Sequence, residues 1–294
     1  MTTVENRYYA GAKTFCFKIL ILSLILLWCI LFITISVSAS TKGVMLTPTR
    51  VVFEGRTRAE VVRLINTNET SCSYRISLVT IRMDDFGNKT EVESPTPEEL
   101  AVQNMIRFSP RSATIAPSQW QTIRLMVRKP SDLAPGEYRV QLKVVPLPDP
   151  ASPSDSSSKN KDNGKIGIQI NYIVAMSIPI IIRHGKGDVK VIPESTVLQK
   201  SESNNDYFLE TGVIRDGLFS LYGDITAFHT PLGGGERIKI GEIKGISIYT
   251  PNTKQILKIP VSIQNPLSLY QGKIDIEVTN SEDKSLPVIG SGQF

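Results

Sequence analysis

Few residues in this chain could carry catalysis. The two histidines, His184 and His229, do not have the spacing of metal ligands, and Cys72 has no histidine near it in the sequence. A nucleophile–base set or a structural metal site would need more histidines or cysteines, placed closer together. We therefore predict a binding protein and not an enzyme, with no catalytic residues, no metal and no cofactor.

Arg50 is the first candidate binding residue. It lies in the segment GVMLTPTRVVFEG, in which Val44, Leu46, Pro48 and Val52 have the same parity. If the segment is one strand, the guanidinium falls on an apolar face, where burial without a counter-charge is costly. The pattern predicts that Arg50 faces a cleft or holds a carboxylate bidentately, and the alternative is a solvated arginine at a strand end.

An apolar strand after a long polar segment is the second candidate. Residues 146–165 are rich in Pro, Ser, Asp and Asn, which predicts a mobile loop. Directly after this loop Ile166, Ile168 and Ile170 share one face, and Tyr172 continues it. An ordinary strand would turn this face to its own core. The one-sided pattern beside the loop instead favours an edge that stays exposed until a partner strand covers it.

Strands are the elements that must position these residues. Residues 123–128 and 138–144 alternate apolar and polar side chains, which is typical of half-buried antiparallel strands. The only predicted helix outside the leader covers 97–103, with a proline at its start and acidic residues in its first turn. Tyr138 follows a turn, so it is either a tyrosine corner or a plain core residue.

The N-terminal segment predicts export. An uncharged apolar run, residues 19–37, follows Lys13 and Lys18 and ends in small residues. This pattern predicts a hydrophobic helix that acts as a signal peptide over residues 1–39 or stays as an uncleaved anchor. An exported chain with one cysteine beyond this leader forms no internal disulfide.

The rest of the chain has the length of two all-β domains. We predict two immunoglobulin-like β-sandwiches, residues 40–183 and 184–294, the first including the loop 146–165 and the strand 166–183. The net charge of +5 is small and not clustered, so we expect no nucleic-acid partner.

The sequence resembles the periplasmic pilus-assembly chaperones of the chaperone–usher pathway, particularly the archaic branch. The resemblance covers nearly all of residues 44–279. It is carried by TPTRVVFEG, MIRFSPRSATIAPSQWQTIRLMVRKPSDLAPGEYRVQLKVVPLP, IGIQINYIVAMSIPIIIR and RDGLFSLYGDIT. It implies a boomerang arrangement of the two domains, pilin-like subunits as partners, and delivery of those subunits to an outer-membrane usher in the periplasm.

The same resemblance implies roles for individual residues. Ile166, Ile168, Ile170 and Tyr172 would form the donor strand that completes the subunit's own sandwich, and Arg50 would hold the subunit's C-terminal carboxylate. The second basic residue of this anchor, a lysine in typical members, falls at Ser177 here. Arg107 and Arg139 are the candidates to replace it, and the sequence leaves the choice open.

Two further alternatives remain at this stage. The chain could be a surface or secreted two-domain adhesion module, with or without a membrane anchor at residues 19–37, in which case the isoleucines belong to its core. A self-dimer could also cap the donor edge of a free chaperone. A secreted hydrolase lacks support because no catalytic set is present.

Overall fold

Strands make up most of the residues that the structure describes, as the alternating sequence predicts. The computed structural model describes residues 43–147, 174–202, 206–263, 266–282 and 288–293. In chain order the strands are β1 (Val44–Thr47), β2 (Val51–Phe53), β3 (Ala59–Asn66), β4 (Cys72–Val79), β5 (Ile81–Met83), β6 (Lys89–Glu91), β7 (Ile106–Ser109), β8 (Ser112–Ile115), β9 (Trp120–Val127), β10 (Gly136–Leu147), β11 (Met176–His184), β12 (Lys190–Lys200), β13 (Tyr207–Asp216), β14 (Leu221–Pro231), β15 (Ile238–Ile248), β16 (Lys254–Pro260), β17 (Gly272–Asn280) and β18 (Val288–Gln293). The helices are α1 (Pro97–Asn104) and a short 3-10 helix (Pro266–Gln271).

Strands β1 to β11 build the first sandwich. One sheet has the order β1-β3-β9-β7, the other has the order β2-β11-β10-β4-β8, and β5 and β6 form a separate hairpin. The pairing of β2 with β11 is parallel, whereas β11 and β10 are antiparallel. Apolar side chains from both sheets, such as Phe53, Leu64, Leu125 and Leu142, fill one core. The predicted all-β sandwich is confirmed.

Strands β12 to β18 build the second sandwich. Its sheets have the orders β12-β13-β16 and β15-β14-β17-β18. They enclose a second core that includes Leu209, Leu221, Ile225, Ile259 and Ile276. Because each strand sends alternate side chains to this core, strand parity decides which residues are available for contacts outside it.

Strand β10 departs from the prediction of one buried and one solvated face. Val140, Leu142 and Val144 are buried in the first core, as their parity predicts. Glu137 and Gln141, on the opposite face, are buried as well. A third apolar cluster lies on this side of the sheet, where Met83 of β5 and Ile181 of β11 meet Tyr249 of the second sandwich.

Two local predictions agree with the structure. Helix α1 is capped by the Thr96 side chain, which accepts from the Glu99 N–H while Glu99 accepts from the Thr96 N–H, a reciprocal arrangement that satisfies two free donors. The Tyr138 hydroxyl donates to the Ala134 carbonyl at 2.9 Å, so of the two alternatives for this residue the structure shows the tyrosine corner.

Several predictions fall on residues that the structure does not describe. These are the leader 1–39, the donor residues Ile166, Ile168, Ile170 and Tyr172, and the loop from residue 148 onward. The first two residues of the predicted loop, Pro146 and Leu147, belong to β10, because they pair with β4. Within the described ranges, no helix has the length and apolar character needed to cross a membrane.

Candidate functional site: two arginines at the junction of the sandwiches

The chain crosses from one sheet to the other just before Arg50. Strand β1 pairs with β3, whereas β2 pairs with β11 in the opposite sheet. In β1 the even-numbered residues Val44 and Leu46 are buried, whereas in β2 the odd-numbered residues Val51 and Phe53 are buried. The side of the chain that faces the core therefore changes at the crossing. The prediction that Arg50 shares an apolar face with Leu46 is therefore wrong, and the arginine points away from the first core.

Arg50 instead contacts the second sandwich. Its Nε donates to Glu282 Oε1 at 2.9 Å, and its guanidinium lies 4.8 Å from the ring centroid of Tyr222. The Nη1 group donates to the Tyr249 hydroxyl at 3.4 Å. Nη2 is buried and has no hydrogen-bond partner among the described residues, although the side chain is only 10% exposed. One arm of a nearly buried cation thus makes no hydrogen bond within the described residues, and a carboxylate is the group that would best satisfy it.

The guanidinium of Arg139 also lies beside the ring of Tyr249. Arg139 lies on β10, and the centre of its guanidinium is 4.1 Å from the ring centroid of Tyr249. Its Nη2 donates to the Ile81 carbonyl at 2.9 Å, while its Nη1 is buried without a partner within the described part of the chain. Burial lowers the pKa of Arg139, and its interactions with Tyr249 and Glu137 offset this lowering only in part. An arginine in a protein nevertheless stays protonated.

A cleft opens beside Arg139. Its volume is about 520 Å³, and its walls come from α1, β5, β10 and the turn after β15, including Val102, Met83 and Asn252. Lys89 places a third cation near Tyr249, with its Nζ 6.0 Å from the ring centroid. Three cations thus lie around the Tyr249 ring, and of these three Arg139 lines the cleft, together with the acidic Glu98, Glu99 and Glu137. Cations grouped around one ring suit a carboxylate.

A buried ion-pair cluster next to Arg50 joins the two sandwiches. Arg183 Nε donates to Glu137 Oε2 at 3.0 Å, and Arg183 Nη2 donates to Glu282 Oε2 at 2.6 Å. Glu137 also accepts from the Ser220 N–H at 3.1 Å and from the Ser220 hydroxyl. Burial alone would lower the pKa of Arg183, but its hydrogen bonds and charge interactions with Glu282 and Glu137 outweigh burial and raise this pKa.

The other anchor candidates lie elsewhere. Arg107 is exposed on β7, in the sheet opposite to β10, and lines a separate depression with Phe108 and Arg111. Ser177 is exposed on β11, and its partner across the strand pair is Lys143, whose Nζ lies 2.5 Å from Glu91. Of the two candidates that the sequence offered, the structure places Arg139 beside Arg50 and not Arg107.

The described end of β11 has an open edge. Strand β2 pairs with β11 only at residues 180–182, and no other described strand pairs with that edge at residues 176–179. Ile178 is buried in the first core and Met176 packs partly against it, whereas Val174 is 72% exposed. All three share the parity of Ile166, Ile168, Ile170 and Tyr172. Side chains of this parity are therefore buried at Ile178 and become more exposed along the chain toward Val174, which lies next to the predicted donor segment.

Sequence reasoning missed the partners of Arg50. Tyr249 and Glu282 lie 199 and 232 residues away from it in the chain. No local pattern marks either residue, because a tyrosine at a strand end and an acidic residue in a turn are common surface features.

Comparison with known proteins gives matches among solved structures alone. No family model matches the chain, and no curated protein matches it. The YadV chaperone is 14% identical, with 85% of this chain and 99% of that chain covered and a TM-score of 0.45. The class 5 fimbriae chaperone CfaA is 11% identical, with coverages of 86% and 98% and a TM-score of 0.44.

A third similar structure comes from the archaic branch. It is the CsuC–CsuE chaperone–tip adhesion subunit pre-assembly complex of Acinetobacter baumannii Csu pili, at 14% identity, coverages of 86% and 97%, and a TM-score of 0.40. These matches include the class of protein that the sequence resembles.

Proposed function

We propose that this protein is a periplasmic chaperone of the chaperone–usher type, which binds pilin-like subunits and presents them to an outer-membrane usher. The observation that carries the proposal is the pair Arg50 and Arg139. Both contact Tyr249, and each has one buried N–H group without a partner in the described part of the chain. A carboxylate supplies one acceptor oxygen for each of these two nitrogens.

The open edge of β11 supports a strand-like partner. A polypeptide that adds to this edge gains main-chain hydrogen bonds, and alternate side chains can fill apolar pockets. Arg50 precedes β2, the strand that covers the far part of the same edge. A bound strand that ends beside the start of β2 therefore brings its C-terminal carboxylate toward Arg50. In this proposal Ile166, Ile168, Ile170 and Tyr172 donate their side chains to the subunit.

The test of the anchor uses co-expression with a pilin-like subunit encoded beside this chain. Arg50→Ala and Arg139→Ala should each weaken the complex by about 10- to 150-fold, because a hydrogen bond to a charged group contributes about 1.5–3 kcal/mol. Arg107→Ala is the matched control: it removes the same charge from an exposed site in the opposite sheet. Equal affinities for all three variants, at unchanged melting temperatures, would reject the anchor.

The donor strand needs a separate test, because an adhesion module would bury the same isoleucines in its own core. Ile168→Asp should abolish retention of the subunit in soluble form while the free protein still folds. If the variant holds the subunit as the wild type does, the donor assignment is wrong. If the variant fails to fold without any subunit, the residue belongs to the core and the adhesion interpretation gains support.

A further inference from the structure

The protein already places one of its own carboxylates on Arg50. Glu282 follows β17, and its N–H donates to Asn280 Oδ1 at 2.9 Å. Its Oε1 accepts from Arg50 Nε at 2.9 Å, while its Oε2 accepts from Arg183 Nη2 at 2.6 Å. The carboxylate therefore bridges two cations, one of which is the anchor of the proposed function.

This contact uses only part of the Arg50 guanidinium. A carboxylate binds arginine best as a fork, with two parallel N–H···O bonds. Glu282 takes Nε and leaves Nη2 without a partner among the described residues. A second carboxylate cannot use Nε and Nη2 together unless Glu282 withdraws, and the two like charges would repel each other at this distance.

Glu282 has a second cation to which it can withdraw. Its other oxygen is held by Arg183, which Glu137 orients through a buried hydrogen bond. If Glu282 releases Arg50, its carboxylate therefore remains paired with Arg183. The exchange replaces one charge-assisted hydrogen bond on Arg50 with another, so neither state contains an unpaired buried charge.

We propose that Glu282 is an internal counter-ion that occupies the carboxylate anchor of the free protein and yields Arg50 when a C-terminal carboxylate binds. The inference rests on the proposed function and adds a regulatory residue to its site. In the empty state Glu282 offsets the repulsion between Arg50 and Arg139. In the bound state it competes with the ligand, which lowers the affinity and eases release.

The test is a binding assay with a synthetic peptide of about twelve alternating valines and threonines. The peptide is prepared with a free C-terminal carboxylate and, separately, with a C-terminal amide. Glu282→Gln should raise the affinity for the acid peptide about tenfold, which corresponds to about 1.4 kcal/mol, and leave the affinity for the amide unchanged. Glu236→Gln is the control, since it makes the same charge change at an exposed position of the second sandwich.

Two further variants keep the result interpretable. Glu282→Asp retains the charge on a shorter side chain, so it should raise the affinity for the acid peptide by about threefold, even if the glutamine variant folds poorly. In an Arg50→Ala background the gain from Glu282→Gln should vanish, because the two residues act on one another.

The possible failures are distinguishable. If the wild type does not prefer the acid peptide over the amide, the carboxylate anchor of the proposed function is wrong, and the inference falls with it. If the wild type prefers the acid peptide but neither Glu282 variant changes that affinity, the anchor stands and the internal counter-ion is refuted.

Discussion

Glu137 offers the sharpest test of how the two sandwiches are held together. Its side chain is fully buried and accepts from Arg183 Nε and from the N–H and hydroxyl of Ser220. Its backbone carbonyl accepts from the Thr250 hydroxyl at 3.2 Å. Because Ser220 and Thr250 belong to the second sandwich, removal of this carboxylate should weaken the junction and not only the strand that carries it.

The magnitude follows from the partners that remain. Breaking a buried ion pair from one side costs about 3–5 kcal/mol, since the other charge stays buried. Arg183 retains Glu282, so Glu137→Ala should lower the free energy of unfolding by about 3 kcal/mol, at the lower end of that range. For a body of this size the melting temperature should fall by about 6–12 °C. Glu137→Gln keeps one acceptor oxygen and should cost about half as much.

Glu54 provides a matched control, because it contacts the same Arg183 guanidinium as Glu137. Glu54 contacts Arg183 Nη1 at 3.4 Å, but its side chain is 58% exposed. Glu54→Gln should therefore cost at most about 0.5–1 kcal/mol, as expected for a pair screened by solvent. Urea unfolding of the variants, followed by circular dichroism and tryptophan fluorescence, gives both free energies. Equal losses for Glu137→Gln and Glu54→Gln would refute the argument that burial makes the difference.

Two smaller effects concern local structure. Tyr138→Phe removes the hydroxyl bond to Ala134 and should lower the free energy of unfolding in urea by about 0.5–1.5 kcal/mol. The hydrogen bond from Arg82, followed by that from the Thr96 N–H, lowers the pKa of Glu99. The ionised Glu99 side chain therefore stabilises the folded state above its unfolded pKa of about 4.3, and this stabilisation is lost as pH falls through the lower folded pKa. Glu99→Gln should cost about 0.5–1 kcal/mol at pH 7, and this difference from the wild type should shrink in unfolding measured below about pH 4.

Each of these predictions has its own control. Tyr270 is 70% exposed, so Tyr270→Phe should leave the stability unchanged. A loss as large as that of Tyr138→Phe would show that the corner hydrogen bond is not the cause. For Glu99, a cost that stays constant between pH 7 and pH 3 would contradict the role of its ionised form.

Much of the architecture follows from local patterns in the sequence. The parity of Ile123, Leu125 and Val127 predicts which face of β9 is buried, and the structure buries all three. The same holds for helix α1, because proline, acidic residues and a capping threonine act within one turn. The register shifts in the pairings of β12 with β13, β14 with β15 and β17 with β18 do not follow from a two-residue period.

The sequence by itself determined the all-β class and the core-facing side of strands such as β9, since a two-residue period is a local feature, and it marked Arg50 as a candidate binding residue. The tertiary structure alone decided what Arg50 meets. The crossing between sheets shifts its parity, and the fold brings Tyr249 and Glu282 to it across 199 and 232 residues. It also places Arg139 beside Arg50, because β10 faces the second sandwich and β7, which carries Arg107, lies in the other sheet. Such contacts depend on how separate sheets pack, and no short-range period encodes them.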